Sequence, residues 1–190
     1  MPKSRRGSIG AKATRRDLRL SQVYRVLEPG PVVLMTTQHK GEANVMAMPW
    51  HTMMEFEPPL IGCVISNRNY SFTALRVTKE CVIAVPTAEL ISKVVGCGNT
   101  SGRDIDKFAV FHLTPSPGAR VGAPLVDECY ANLECRVVDA RLVTRYNFFV
   151  LEVLKAWIGT PRRYPRTIHH RGMGVFMIAG GSIRLPSKMK

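Results

Sequence analysis

The sequence lacks the features of a membrane or secreted protein. Its 190 residues contain no apolar run of about 18 residues, the length that a membrane-spanning helix needs. No apolar segment follows the basic residues near the N-terminus, so no secretory signal is indicated. The five cysteines are an odd number without a CxxC pair, which argues against a disulfide framework. We therefore expect a protein of the reducing cytoplasm, without a membrane partner.

Motifs of the common nucleotide-binding and metal sites are missing as well. Gly96, Gly98 and Gly102 form GxGxxxG, which has the wrong spacing for a dinucleotide fingerprint and follows a helix-like segment. There is no Walker A loop, and no histidine lies in an HxH or HExxH pattern. We therefore predict no metal site and assign no catalytic acid, base or nucleophile. The pair His169 and His170 lies in a basic, Gly-rich region and is expected to be solvated.

Acidic residues are scarce at both ends of the chain. Residues 1–20 have a net charge of +6 and residues 155–190 a net charge of +8, whereas residues 21–154 have a net charge of −1. Such ends favour an acidic partner, either nucleic acid or an acidic protein, or they only keep the chain in solution. Nucleic acid is the less favoured partner, because Tyr164 stands alone among arginines and no nucleic-acid motif is present.

The sequence does contain many short apolar runs divided by turn residues. They predict strands over 32–37, 41–50, 60–66, 81–85, 130–142, 148–158 and 175–178. Two short helices are predicted over 70–78 and 88–95, the second capped by Thr87 and ended by Gly96 and Gly98. This pattern predicts a mainly β fold, a closed β-barrel with inserted helices.

The segment Gly41 to Trp50 (GEANVMAMPW) is the most informative of these strands. As a strand it places Asn44, Met46, Met48 and Trp50 on one face. That face is mostly apolar with one polar group at its end, which suits a planar aromatic ligand. The alternative is a strand buried on both faces, with Asn44 in the turn that opens it.

Two polar segments have the composition of a phosphate site. Residues 66–71 (SNRNYS) lead from a strand into the first predicted helix and supply hydroxyls, a guanidinium and helix N-terminal amides. Residues 101–108 (SGRDIDKF) supply a second cation in a turn. Each segment alone is more typical of a capped helix or a solvated loop. Together with the strand 41–50 they favour flavin mononucleotide (FMN), whose ring needs stacking and whose phosphate needs hydroxyls and cations.

In their order along the chain, these residues resemble the flavin reductase-like, FMN-binding split-barrel family, and its flavoredoxin branch in particular. The resemblance covers about Leu27 to Trp157, with a looser match at 172–176. The matching elements are PVVL with TT at 31–37, G-x-x-N at 41–44 with Trp50, PPL at 58–60, YS at 70–71, SGRD-x-DKF at 101–108, EC at 134–135 and EV at 152–153.

The resemblance implies an FMN-binding split β-barrel of antiparallel Greek-key type that forms a homodimer, with the flavin near the subunit interface. It places Asn44 and Trp50 at the flavin ring or ribityl chain. It places Ser71 and Lys107 at the phosphate. The further candidates that it implies are Arg68 and Tyr70 at the phosphate, Phe176 packed on the flavin, and Tyr146, which stands where many members have a histidine.

We therefore predict three regions: a basic N-terminal arm (1–20), an FMN-binding split-barrel domain (21–160) and a basic C-terminal extension (161–190) that packs partly on the barrel or on the dimer partner. The predicted function is that of an electron carrier, in which FMN shuttles electrons between protein partners such as an acidic ferredoxin. The alternative is an NAD(P)H-dependent flavin reductase that supplies reduced flavin to a monooxygenase or another acceptor. A more distant alternative is a basic binding module without redox function.

Overall fold

The computed structural model describes residues 30–158 and 165–186. The predicted basic arm at 1–20 and Tyr164 lie outside these residues. The strands are β1 (Val33–His39), β2 (Glu42–Met48), β3 (His51–Phe56), β4 (Pro59–Val64), β5 (Glu80–Val85), β6 (Pro115–Ser116), β7 (Leu125–Val126), β8 (Ala131–Asp139), β9 (Phe148–Ile158), β10 (Ile168–His170) and β11 (Phe176–Ile178). The helices are α1 (Tyr70–Thr78), α2 (Ile91–Asn99), α3 (Lys107–Val110) and α4 (Val143–Tyr146), with a single 3-10 turn (Ala88–Leu90) before α2.

Seven strands form one antiparallel sheet in the order β2–β1–β5–β8–β9–β4–β3. β2 and β3 follow each other in the chain, yet they lie at opposite ends of this order and do not pair with each other. The prediction of a mainly antiparallel β fold is confirmed. The barrel is split between β2 and β3, so the prediction of a closed barrel is wrong while the split barrel implied by the resemblance is confirmed. The edge of β2 that faces away from β1 is therefore left unpaired by the other described strands.

The sheet curls round a core that joins both ends of the strand order. Met48 of β2 and Cys63 of β4 belong to one buried cluster, together with Leu75 of α1 and Phe149 of β9. Because β2 at one edge and β4, the neighbour of the other edge strand, both contribute to this cluster, the sheet encloses it on several sides. The first helix packs into the same cluster and fixes the position of its N-terminal turn near β2.

A second buried cluster covers the outer face of β1, β2 and β5, where α2 and α3 pack. Val45 of β2 belongs to this outer cluster, so β2 is buried on both faces. This agrees with the alternative interpretation of the segment 41–50. The placement of Asn44 in that interpretation is wrong, because Asn44 lies within β2, opposite Thr37 of β1, and not in the opening turn.

Most predicted elements are present, including α1 over the predicted residues and the β8–β9 pair joined at 143–147. The prediction that Gly96 and Gly98 end the second helix is wrong, because α2 continues to Asn99. Gly96 instead permits a close contact, since a Cβ there would lie 2.4 Å from the ring of Phe111. The sequence pattern did not indicate β3 and β10. None of the described helices is long and apolar enough to cross a membrane.

A buried carboxylate attaches the loop before β7 to the sheet. Glu134 of β8 is fully buried and accepts hydrogen bonds from Trp157 Nε1 and from backbone N–H groups of Arg120 and Val121. Burial would raise the pKa of Glu134, but these hydrogen bonds hold it below its usual value. The ionised carboxylate of Glu134 therefore holds this loop against the sheet.

Candidate functional site

Three parts of the chain enclose a cavity of about 210 Å³ at the unpaired edge of β2, which we call the polar cavity. These parts are β2, the loop that leads into α1, and the segment from the end of α2 to the start of α3. The two segments predicted to bind phosphate, 66–71 and 101–108, thus meet at the edge of one strand. Five of the predicted site residues line the polar cavity: Asn44, Arg68, Tyr70, Ser71 and Lys107.

Asn44 has one satisfied and one unsatisfied polar group. Its Nδ2 donates a hydrogen bond to Ser71 Oγ at 2.7 Å, which joins β2 to the first turn of α1. Its Oδ1 is buried and has no hydrogen-bond partner among the described residues. Leaving such an atom unpaired costs about 1–3 kcal/mol. The oxygen of Asn44 therefore marks a position where a donor group of a ligand would be stabilised.

Gly102 keeps the space beside that oxygen open. A Cβ at Gly102 would lie 2.0 Å from Asn44 Oδ1 and 3.0 Å from Tyr70 Cδ1. A side chain at this position would therefore fill the polar cavity or displace Asn44. The glycine of the SGRD motif thus permits the loop to lie close to Asn44 of β2, because it has no side chain.

Lys107 brings a buried cation to the wall of the polar cavity. The residue is 4% exposed, and its Nζ donates a hydrogen bond to the carbonyl oxygen of Cys97 at 2.7 Å. Burial lowers the pKa of Lys107. Among the described residues no carboxylate forms an ion pair with it. Since a buried ammonium without a counter-ion is costly, the cavity wall at Lys107 is suited to an anion.

The loop before α1 and its first turn complete the polar wall. Asn69 occupies the N-cap position of α1 but makes no side-chain capping hydrogen bond, so no cap covers the N–H groups of the first turn. Arg68 is exposed at the cavity mouth. The hydroxyl of Tyr70 donates to Glu42 Oε2 at 3.2 Å, and this hydrogen bond raises the pKa of Tyr70. The Tyr70 hydroxyl therefore already donates a hydrogen bond within the protein, whereas the exposed Arg68 guanidinium is accessible to an anion.

Two further cavities adjoin the polar cavity along β2. The edge cavity, of about 610 Å³, is lined by residues of β2, by Val64 of β4 and by Asn147, so it lies at the split in the barrel. The apolar cavity, of about 310 Å³, lies between α2 and the β10–β11 hairpin. Ala47 of β2 lines all three cavities. The three spaces therefore form a row that changes from polar to apolar along one strand.

Trp50 and Phe176 line these neighbouring cavities and not the polar one. Trp50 is 54% exposed and lines the edge cavity. It lies outside β2, so the prediction that the strand extends to residue 50 is wrong, although Trp50 lines the edge cavity together with Met46 and Met48. Phe176 of β11 lines the apolar cavity and packs on His170, with ring centroids 5.3 Å apart.

His170 is a site residue that sequence reasoning missed. It lines both the edge and the apolar cavity and is partly buried, so it is less solvated than the sequence suggested. Its pairing with Phe176 in the β10–β11 hairpin turns it toward these cavities, and the short apolar run at 176–178 was the one available signal. Tyr146 is 53% exposed and lines none of the three cavities, whereas its neighbour Asn147 lines the edge cavity.

The row of cavities suits a ligand that is anionic at one end and flat and apolar at the other. Hydroxyl, amide and cationic groups converge at the polar cavity, and aromatic and aliphatic side chains line the other two. Within residues 30–158 and 165–186, no group of three His, Cys, Asp or Glu side chains is placed to hold a metal ion.

Comparison with known proteins agrees with this geometry. An uncharacterized protein of Pyrococcus abyssi is 33% identical over 131 residues, 69% of this chain and 75% of that protein. The structure resembles an FMN-binding domain of a flavin reductases-like enzyme from Shewanella baltica, with 25% identity and a TM-score of 0.77 over 89% of this chain and 96% of that chain. It also resembles a flavoredoxin from Methanosarcina acetivorans, with 26% identity and a TM-score of 0.76 over 93% and 97% of the two chains. Because a family model for the flavin reductase like domain matches residues 25–175, this chain belongs to that family.

Proposed function

We propose that this chain binds FMN in the row of cavities along β2 and uses it to transfer electrons. The observation that carries the proposal is the polar cavity, where a buried cation (Lys107) and an orphaned buried oxygen (Asn44 Oδ1) line one open space. A single ligand with a phosphate and a hydrogen-bond donor satisfies both groups. The Shewanella baltica relative, which is an FMN-binding domain, supports the same ligand class.

The polar cavity would hold the phosphate of FMN. Lys107 supplies the buried positive charge, and Arg68 supplies a second one at the mouth. The hydroxyl of Ser71 is 2.7 Å from Asn44 Nδ2, and as an acceptor there it keeps its own proton to donate to a phosphate oxygen. The N–H groups of the first turn of α1 add the positive end of a helix dipole. Asn44 Oδ1 would accept a hydrogen bond from the ribityl chain or the ring.

The edge and apolar cavities would hold the isoalloxazine ring and leave it accessible. The unpaired edge of β2 offers backbone N–H and C=O groups to the polar rim of the ring. Trp50, His170 and Phe176 supply aromatic surface in these two cavities. When bound, FMN supplies the one- and two-electron chemistry, so no side chain is needed as acid, base or nucleophile. The residues of this chain bind the cofactor, orient it and limit the access of water.

Electron transfer between protein partners is the role that we favour. The net charges of +6 on residues 1–20 and +8 on residues 155–190 would steer an acidic redox protein such as a ferredoxin toward the chain. The flavoredoxin among the similar structures supports this role. One observation favours the alternative of an NAD(P)H-dependent flavin reductase, because the edge cavity of about 610 Å³ has room for a small molecule beside Trp50.

Substitutions at the phosphate end test the cofactor site. Ser71→Ala and Lys107→Met should each weaken FMN binding by about 1–3 kcal/mol, because each removes a buried hydrogen bond or a charge-assisted one. Titration calorimetry with apoprotein measures the effect. Lys93→Met is the matched control, since Lys93 Nζ also donates to a backbone carbonyl, that of His112 at 2.6 Å, but lines none of the three cavities. Unchanged FMN affinity in both site variants would place the phosphate elsewhere.

Anaerobic stopped-flow reduction distinguishes the two redox roles. The FMN-loaded protein is mixed with NADH, with NADPH and with a reduced ferredoxin, and bleaching of the flavin absorbance is followed. We expect fast reduction by the ferredoxin, with a rate that falls as the salt concentration rises because charge steering is screened. Fast bleaching by either nicotinamide would contradict the role of an electron carrier between proteins and would favour that of an NAD(P)H-dependent flavin reductase.

A homodimer is the assembly that we propose. Four apolar side chains beside the split in the barrel are about half exposed or more: Trp50, Met53, Met54 and Phe56. Several exposed apolar side chains along one short segment are typical of a protein interface, and a second copy of the chain would cover them.

Light scattering after gel filtration tests the dimer. Phe56→Asp should convert the dimer to a monomer, because it places a charge among these exposed apolar side chains, of which Phe56 is the most exposed at 73%. Val77→Asp is the control, since Val77 is 58% exposed on α1, away from β3. A monomeric mass for the unmodified chain, or a dimeric mass for Phe56→Asp, would contradict this interface.

A further inference from the structure

A second polar space lies on the other side of Tyr70, toward the β1–β2 turn. This hairpin cavity has a volume of about 310 Å³ and shares Asn44 and Tyr70 with the polar cavity. Its remaining lining residues come from the end of β1, the β1–β2 turn, the start of β2 and the second turn of α1: Thr37, His39, Lys40, Glu42, Thr73 and Ala74. The proposed FMN site makes no use of it, although the two cavities adjoin.

The hairpin cavity contains groups that suit a nucleotide. Thr37 is 1% exposed, and its Oγ1 has no hydrogen-bond partner within the described part of the chain. Thr37 lies opposite Asn44 in the β1–β2 register, so the two residues with unpaired polar atoms are direct cross-strand neighbours. Lys40 adds a cation at the turn. The Thr37 hydroxyl and the Lys40 ammonium suit a second phosphate, and the aromatic ring of Tyr70 suits a base.

Glu42 opposes the entry of an anion into this cavity. Its carboxylate accepts the hydrogen bond from the Tyr70 hydroxyl at 3.2 Å and lines the hairpin cavity. No Lys or Arg forms a salt bridge with Glu42 among the described residues. A second phosphate placed here would meet a like charge and disturb the Tyr70–Glu42 hydrogen bond. Specificity often rests on such a repulsive element beside the attractive ones.

We propose that Glu42, held in place by Tyr70, makes the site select FMN over FAD. This inference rests on the proposed function. FMN ends at the phosphate that the polar cavity would hold, whereas FAD continues with a second phosphate and adenosine. The hairpin cavity is the adjoining space for the second phosphate and the adenosine of FAD, and the exposed carboxylate of Glu42 repels a second phosphate there. Glu42 is thus a specificity-determining residue that need not touch FMN.

Separate titrations with FMN and FAD test the inference. Glu42→Gln keeps the size of the side chain and an acceptor for the Tyr70 hydroxyl but removes the charge. Calorimetry with apoprotein gives the two dissociation constants, and their ratio, FAD over FMN, is the readout. We expect a ratio of about tenfold or more for the unmodified chain. In Glu42→Gln the ratio should fall by about tenfold, which corresponds to about 1.4 kcal/mol, because FAD binds more tightly.

Asp127→Asn is the control, since Asp127 is an exposed carboxylate that lines neither the polar nor the hairpin cavity and should leave the ratio unchanged. An equal ratio in Glu42→Gln and the unmodified chain, or equal affinity of the unmodified chain for both flavins, overturns the inference while the proposed function stands. An unmodified chain that binds neither flavin overturns both. Thermal unfolding of each variant confirms that the comparison is between folded proteins.

Discussion

The unpaired edge of β2 is the constraint on which the rest of the site depends. An edge strand presents backbone N–H and C=O groups that must be paired or covered. Among the described strands β2 pairs with β1 alone, and both of its faces already pack against core clusters. The N-terminal turn of α1 and the α2–α3 segment lie beside the remaining edge and leave the polar cavity between them. The site therefore occupies the place where the barrel does not close.

Charged and polar groups distinguish one end of the row of cavities from the other. The polar cavity has a buried ammonium without a carboxylate partner in the described residues and a buried amide oxygen without a donor. Both features cost free energy in the protein alone, and one phosphorylated ligand offsets both. Because such a ligand binds the folded chain and not the unfolded one, it would also raise the free energy of unfolding. The apolar end of the row lacks these groups, so the proposed ligand would bind in one orientation.

Local sequence patterns predicted α1 and the β8–β9 pair because their signals, helix boundaries and alternation, lie within the elements themselves. The two phosphate-type segments were also found from sequence, since a phosphate needs hydroxyls and cations in any fold. Their meeting at β2 depends on contacts across the chain, such as the packing of Phe111 on Gly96 inside α2. The strand predicted over 41–50 is too long because the alternation was continued through Pro49, whereas β2 ends at Met48. His170 was missed because only the pairing of β10 with β11 turns it toward the cavities.

The visible absorption spectrum of the desalted protein shows whether the chain holds FMN by its phosphate. The chain is incubated with FMN in one sample and with riboflavin, which lacks the phosphate, in another, and both are then desalted. We expect a yellow protein that retains about one FMN per chain and loses most of the riboflavin, because the buried Lys107 and the Ser71 hydroxyl would hold the phosphate. A colourless protein after incubation with FMN, or equal retention of both flavins, would contradict it.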